Sequence, residues 1–137
     1  MTTDSNKKLV QSLYDATDAH DKTAFAAICS PRLMATMPGG PGPLNLDAFW
    51  AAGSGFMASF SEARHIVRAQ VAEGDMVATS VIWRAVHTGD FAGIPATGRA
   101  VSIAAHAFDR IEDGRIMTHD VQFDLAAFMG QLTAMAA

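Results

Sequence analysis

The chain is short of several residue types, and each shortage excludes something. One cysteine, Cys29, stands among 137 residues, which rules out an internal disulfide framework and a cysteine-rich zinc module. Lysine is confined to Lys7, Lys8 and Lys22, on polar helical faces near the N-terminus, so no Schiff-base lysine projects from the strands that follow. Charged residues are only 18%, with Lys+Arg at 10 against Asp+Glu at 14. That mild acidity offers no electrostatic footprint for nucleic acid and no polybasic anchor for a membrane surface. Uncharged runs are broken by Pro, Gly, Asn or Gln well before the ~20 apolar residues that span a bilayer. The opening MTTDSNKK leads into an amphipathic stretch, not the apolar core of a signal peptide. His20, His65 and His87 sit in no metal-ligand spacing and no paired-carboxylate helix motif exists, so no metal site is expected. Gly93-Ile-Pro-Ala-Thr-Gly98 does not join a strand to a helix and is no phosphate loop.

What the chain does have is apolar mass, 50% of residues. That is too much for a disordered polymer and enough for one core in one domain, residues 1–137. The expectation is a soluble, cytoplasmic, single-domain protein.

Helical spacing governs the first third. Leu9, Val10, Leu13, Tyr14 and Thr17 share one face, with Thr3, Asp4 or Ser5 as caps. Asp21 caps a short second helix carrying Phe25 and Ile28, which must end before Pro31. Arg32 to Met37 reads as a short strand and Pro38 to Pro43 as a loop. Asn45 caps a third helix whose Phe49, Trp50, Gly53, Phe56, Met57 and Phe60 form a broad apolar face. After residue 61 the period becomes two. Strand-like runs cover 62–73, 76–88, 99–111 and 115–124, parted by Glu73-Gly74-Asp75, by Thr88 to Gly98, and by Glu112-Asp113-Gly114. Helices followed by hairpin-linked strands predict an α+β fold, with helices on one face of an antiparallel sheet.

The strands are apolar on both faces. In 99–111 one face offers Val101, Ile103, Ala105 and Ala107, and the other Ala100, Ala104 and Phe108. A second copy covering the outer face, giving a homodimer, accounts for this; a strongly curled sheet is the alternative.

The segment from Ala105 to Asp120 carries the candidate chemistry. A three-residue loop at Glu112-Asp113-Gly114 pairs Ile111 with Arg115, and counting outward sets His106 directly opposite Asp120. A two-residue Asp113-Gly114 turn instead shifts the register by one and sets His106 opposite Val121. Inside an apolar pocket, burial disfavours a charged carboxylate while a nearby imidazolium favours it, so a paired aspartate is poised as acid or base. Outside one, the same pair is an ordinary cross-strand contact. His119, on the face opposite Asp120, reads as a surface or interface histidine, and Cys29 as a small buried apolar group.

Three stretches carry a resemblance: His87-Thr-Gly-Asp-Phe-Ala-Gly-Ile-Pro-Ala-Thr-Gly-Arg99, Arg110-Ile-Glu-Asp-Gly-Arg-Ile116, and Phe123-Asp-Leu-Ala-Ala-Phe-Met-Gly-Gln-Leu132. With Gly74-Asp-Met-Val-Ala78 they are similar to the SnoaL-like polyketide cyclases. The resemblance implies a ketosteroid-isomerase-like fold, a cone of curved antiparallel sheet closed by three N-terminal helices around a deep pocket, in a dimer or tetramer. It also implies a cofactor-free intramolecular aldol ring closure, with Asp120 as acid–base and His106 beside it on the preceding strand. Many relatives carry an aromatic residue where this chain has Asp120, so the aspartate draws it toward the cyclase branch.

The expected ligand is a small apolar carbonyl compound. Tyr14, Met34, Phe49, Phe56, Trp83 and Phe108 are expected to line its pocket, and Thr118 and Gln122 to hydrogen-bond its oxygens. A dehydratase, isomerase or hydrolase on the same scaffold, or a non-catalytic binding or dimerisation module, remains open.

Overall fold

The computed structural model describes residues 2–133. Helix α1 (Thr3–Asp18) starts at a capping box in which Thr2 and Ser5 satisfy each other's backbone N–H groups. The Asp21 carboxylate accepts from Ala24 N–H to start α2 (Lys22–Ile28), which stops short of Pro31. Strand β1 follows directly (Cys29–Thr36). The Asn45 side chain caps α3 (Leu46–Met57) through Ala48 N–H. Then come β2 (Phe60–Glu73), β3 (Met76–His87), β4 (Ala100–Glu112), β5 (Arg115–Phe123) and a fourth helix, α4 (Leu125–Thr133).

The five strands form one curved sheet in the order β1-β5-β4-β3-β2. Helix α1 lies against β2 and α3 against β1. The α+β expectation holds, with two additions. Strand β1 runs parallel to β5, because α2 delivers the chain to the far edge of the sheet before the meander begins. Helix α4 was not signalled by periodicity: it is short, contains Gly130, and shows only Phe128 and Leu132 to the core. Those two sit at i and i+4, on one face.

The β4–β5 hairpin departs from the expected register. Asp113 and Gly114 both take positive φ, 52° and 74°, so the turn is the two-residue kind that favours Asp-Gly. Glu112 pairs with Arg115 and Ile111 with Ile116, but Arg110 then pairs with Thr118. The extra residue at 117 is a bulge. Turn and bulge together set His106 against Gln122 and Phe108 against Asp120. The expected opposition of His106 and Asp120 does not occur.

The core has two parts. One lies between the sheet and α1, α2 and α3, around Val10, Leu13, Phe25, Leu33 and Ile116. The other closes the end of the sheet near α4. There Phe128 is fully buried, with ring centroids 5.4 Å from Phe56, 5.7 Å from Phe60, 5.6 Å from Phe91 and 6.0 Å from Trp83. His87, also fully buried, accepts from Thr97 N–H at Nδ1 (3.3 Å) and so holds the 88–98 loop on this end.

Candidate active site

A cavity of about 130 Å³ lies between the sheet and the helices, walled mainly by aromatic and aliphatic side chains. A cavity of that order accommodates about one six-membered ring. Four of the residues expected around a ligand, Tyr14, Phe49, Phe56 and Trp83, are on its wall. Two histidines line it as well, His65 from β2 and His119 from β5.

His119 is the more enclosed. Its Nδ1 lies 2.6 Å from Oδ1 of Asp109 on β4, the cross-strand partner that the bulged register supplies. The two side chains are 5% and 0% exposed. A carboxylate only accepts, so Nδ1–H donates to Asp109 and Nε2 is left for the cavity. The Phe49 ring stands 5.3 Å from the imidazole. His65 repeats the arrangement: Nδ1 is 2.6 Å from Asp18 Oδ1, while the His65 backbone N–H donates to Asp18 Oδ2 at 2.7 Å. Asp18 is the last residue of α1, so one carboxylate ties that helix to β2 and orients the imidazole.

Tyr14, on α1, has its ring 5.1 Å from that of His65 and its hydroxyl buried, with no hydrogen-bond partner among the described residues. Burial, and then the Asp109 carboxylate, hold the phenol well above its usual range, so it stays an O–H donor at any ordinary pH. The second carboxylate oxygen of Asp109 is likewise buried and, among the described residues, unpartnered. Burial, and again Asp109, push the Cys29 thiol up to about 12. A neutral thiol is a poor nucleophile, which fits the reading of Cys29 as buried filler.

These two raised groups carry a pH consequence. In the unfolded chain the thiol ionises near 9, its ordinary value; in the fold it keeps its proton until about 12. Above 9 the unfolded state therefore binds fewer protons, and stability falls as pH rises through this window. Melting temperatures recorded between pH 8 and 11 should decline, and Cys29→Ala should flatten the decline. An unchanged slope in the variant refutes the assignment to Cys29.

Several expected site residues lie elsewhere. Asp120 and His106 are on the outer, exposed face of the sheet, where Asp120 accepts from the Thr36 hydroxyl at 3.1 Å. Met34 and Phe108 are 55% and 57% exposed on that face. Gln122 is exposed and Thr118 part-buried, in the same outward-facing set. None of these six lines the cavity. The physical reason is which face is core. On β4 the buried face is Val101, Ile103, Ala105, Ala107, Asp109 and Ile111, and it carries the branched aliphatics. His119, expected at the surface, is therefore inside. The missed signal was Asp109, the lone charged residue in that apolar alternation.

Among the described residues no group of three or more His, Cys, Asp or Glu side chains is placed to hold a metal ion, and no helix is long and apolar enough to cross a membrane.

Sequence comparison gives the chain its family. Residues 7–132 match the family model of the SnoaL-like polyketide cyclases, and the chain belongs to that family. Among solved structures it is similar to IdmH, a candidate polyketide cyclase from Streptomyces antibioticus, with 26% identity, a TM-score of 0.86, and 93% and 97% of the two chains covered. It also resembles a candidate SnoaL-like polyketide cyclase from Jannaschia sp. CCS1, with 20% identity, a TM-score of 0.88 and coverage of 98% and 95%. A third relative in fold is AclR, a candidate hydroxylase from Streptomyces galilaeus, with 21% identity, a TM-score of 0.86 and coverage of 98% and 100%. No curated protein matches the chain.

Proposed function

We propose that the chain is an acid–base enzyme acting on a small apolar carbonyl compound. His119 Nε2 removes a proton from carbon next to a carbonyl, Asp109 holds the imidazole in the tautomer that leaves Nε2 free, and the Tyr14 hydroxyl donates to the oxygen where charge develops. The observation that carries this reading is the buried Asp109–His119 pair, 2.6 Å apart, opening onto an aromatic-walled cavity. A buried carboxylate of this kind is costly unless it is paired, and its position beside a ligand-sized hollow is what a proton-transfer site requires. Family membership favours aldol-type ring closure as the reaction.

The test needs no knowledge of the natural substrate. Acetophenone is a one-ring ketone whose methyl protons exchange slowly in buffered D2O, and proton NMR follows that exchange directly. The chain should accelerate it above the buffer rate. Exchange no faster than in buffer overturns the reading and leaves a binding module in its place.

We further propose that a second copy of the chain covers the outer sheet face. Val71, Ala78 and Phe108 form one cross-strand row there, and Ile66, Ile82 and Ala104 another. Val71 is 70% exposed and Phe108 57%, an apolar surface that a lone soluble domain rarely leaves open. Phe108→Lys should shift the sedimentation coefficient from dimer to monomer. A monomeric parent, or a variant that remains dimeric, refutes this arrangement.

A further inference from the structure

We infer that His65, positioned by Asp18, is a second proton-transfer residue of the same cavity, and that protons pass between the site and solvent through it. The inference rests on the acid–base reading of His119 and extends it. Two His–carboxylate pairs, each at 2.6 Å, face one cavity, but they differ in their access to water. His119 and Asp109 are 5% and 0% exposed, whereas His65 and Asp18 are 18% and 23% exposed. A base as sealed as His119 can take a proton from a ligand, yet has no direct route for exchanging it. His65 touches both sides: its ring lines the cavity, tilted 33° to that of Tyr14, while its carboxylate partner is part-exposed at the end of α1. With Nδ1 committed to Asp18, Nε2 is the nitrogen that meets the ligand.

The proton balance closes. The C–H electron pair becomes the enolate π bond as the proton passes to His119 Nε2. The enolate oxygen, or the alkoxide formed when the enolate carbon adds to a second carbonyl, takes the proton carried by His65 Nε2. As product leaves, His119 returns its proton through the cavity to His65, which is thereby recharged and trades protons with solvent beside Asp18. Nothing is oxidised and no bond to the protein forms.

A purely structural role is the competing account, since Asp18 also ties α1 to β2 through the His65 N–H. The experiment separates the two. His65→Gln and Asp18→Asn are assayed by acetophenone exchange in D2O across pH 5–9, beside the parent and His119→Gln, with melting temperatures recorded for all. His65→Gln should lose at least about 10²-fold in rate, the usual share of one positioned acid–base. It should also lose one limb of the pH profile, and Asp18→Asn should displace that limb. If His65→Gln keeps the parent's profile and stays within twofold of its rate while His119→Gln is inactive, the inference fails and the acid–base reading stands. If the parent does not exceed the buffer rate, the acid–base reading itself fails. A readout independent of turnover uses phenol, one ring with one polar atom, and 15N NMR of the histidine rings. Phenol should shift the Nε2 resonances of both His65 and His119; a shift of His119 alone overturns the role given to His65.

Discussion

His119→Gln should lower the ketone exchange rate by about 10²–10⁴-fold while the protein remains folded. Glutamine is the informative replacement because its amide can still donate to Asp109, so the buried carboxylate keeps a partner. His119→Leu asks a different question. It leaves the carboxylate of Asp109, which is 0% exposed, without the one hydrogen-bond partner it has among the described residues, and removing one member of a buried pair costs about 3–5 kcal/mol. The two substitutions thus separate chemistry from stability: glutamine should abolish turnover at nearly the parent's melting temperature, and leucine should reduce both. Asp120→Ala and His106→Ala provide the contrast. Both side chains are exposed on the outer face, and neither lines the cavity, so exchange should persist in each. Loss of exchange in Asp120→Ala with His119→Gln still active would return the chemistry to the outer face.

The largest purely structural loss is expected at Phe128. Its ring is fully buried among five other aromatics, Phe56, Phe60, Trp83, Phe91 and Phe123, at the closed end of the sheet. Phe128→Ala deletes the whole ring and leaves a cavity that the stiff neighbours cannot collapse into, at about 3–5 kcal/mol. For a domain of this size that corresponds to a fall in Tm of roughly 10–20 °C. Phe128→Leu, which keeps most of the volume, should fall much less. Three neighbours of the ring, Phe56, Trp83 and Phe123, also line the cavity, so Phe128→Ala should loosen ligand binding as well as the fold. An unchanged Tm in Phe128→Ala shows that α4 does not dock on the sheet.

Much of the architecture was legible in the residues alone. Asp21 and Asn45 announced their helices because capping is a local interaction written within four residues. The long strands declared themselves through period two. Three features were not local. The parallel β1–β5 pairing depends on where α2 sends the chain, and no spacing within β1 records it. Helix α4 is too short for its period to stand out. The hairpin register depends on the sum of a turn and a bulge, and counting from the turn alone missed the second. That error mattered less than the choice of face. His106 and Asp120 were expected in the pocket partly because the resemblance placed them there. The aliphatic alternation Val101, Ile103, Ala105, Ala107, Ile111 marks the opposite face as core and carries Asp109 inward with it. Tyr14, Phe49, Phe56 and Trp83 stand on the cavity wall because large aromatics on helix and strand faces line a hollow as readily as they fill a core.

The bulge at residue 117 also governs how the hairpin tolerates changes in length. The Asp113-Gly114 turn, followed by an unbroken ladder, would aim His119 at solvent. The surplus residue restores it to the interior, because Ile111 and Arg110 already take Ile116 and Thr118 as consecutive partners. A chain lacking Met117 would therefore keep His119 against Asp109, whereas an added residue at that point would invert every side chain from there to Phe123. At this spot β5 can shed one residue and keep its facing, but it cannot gain one.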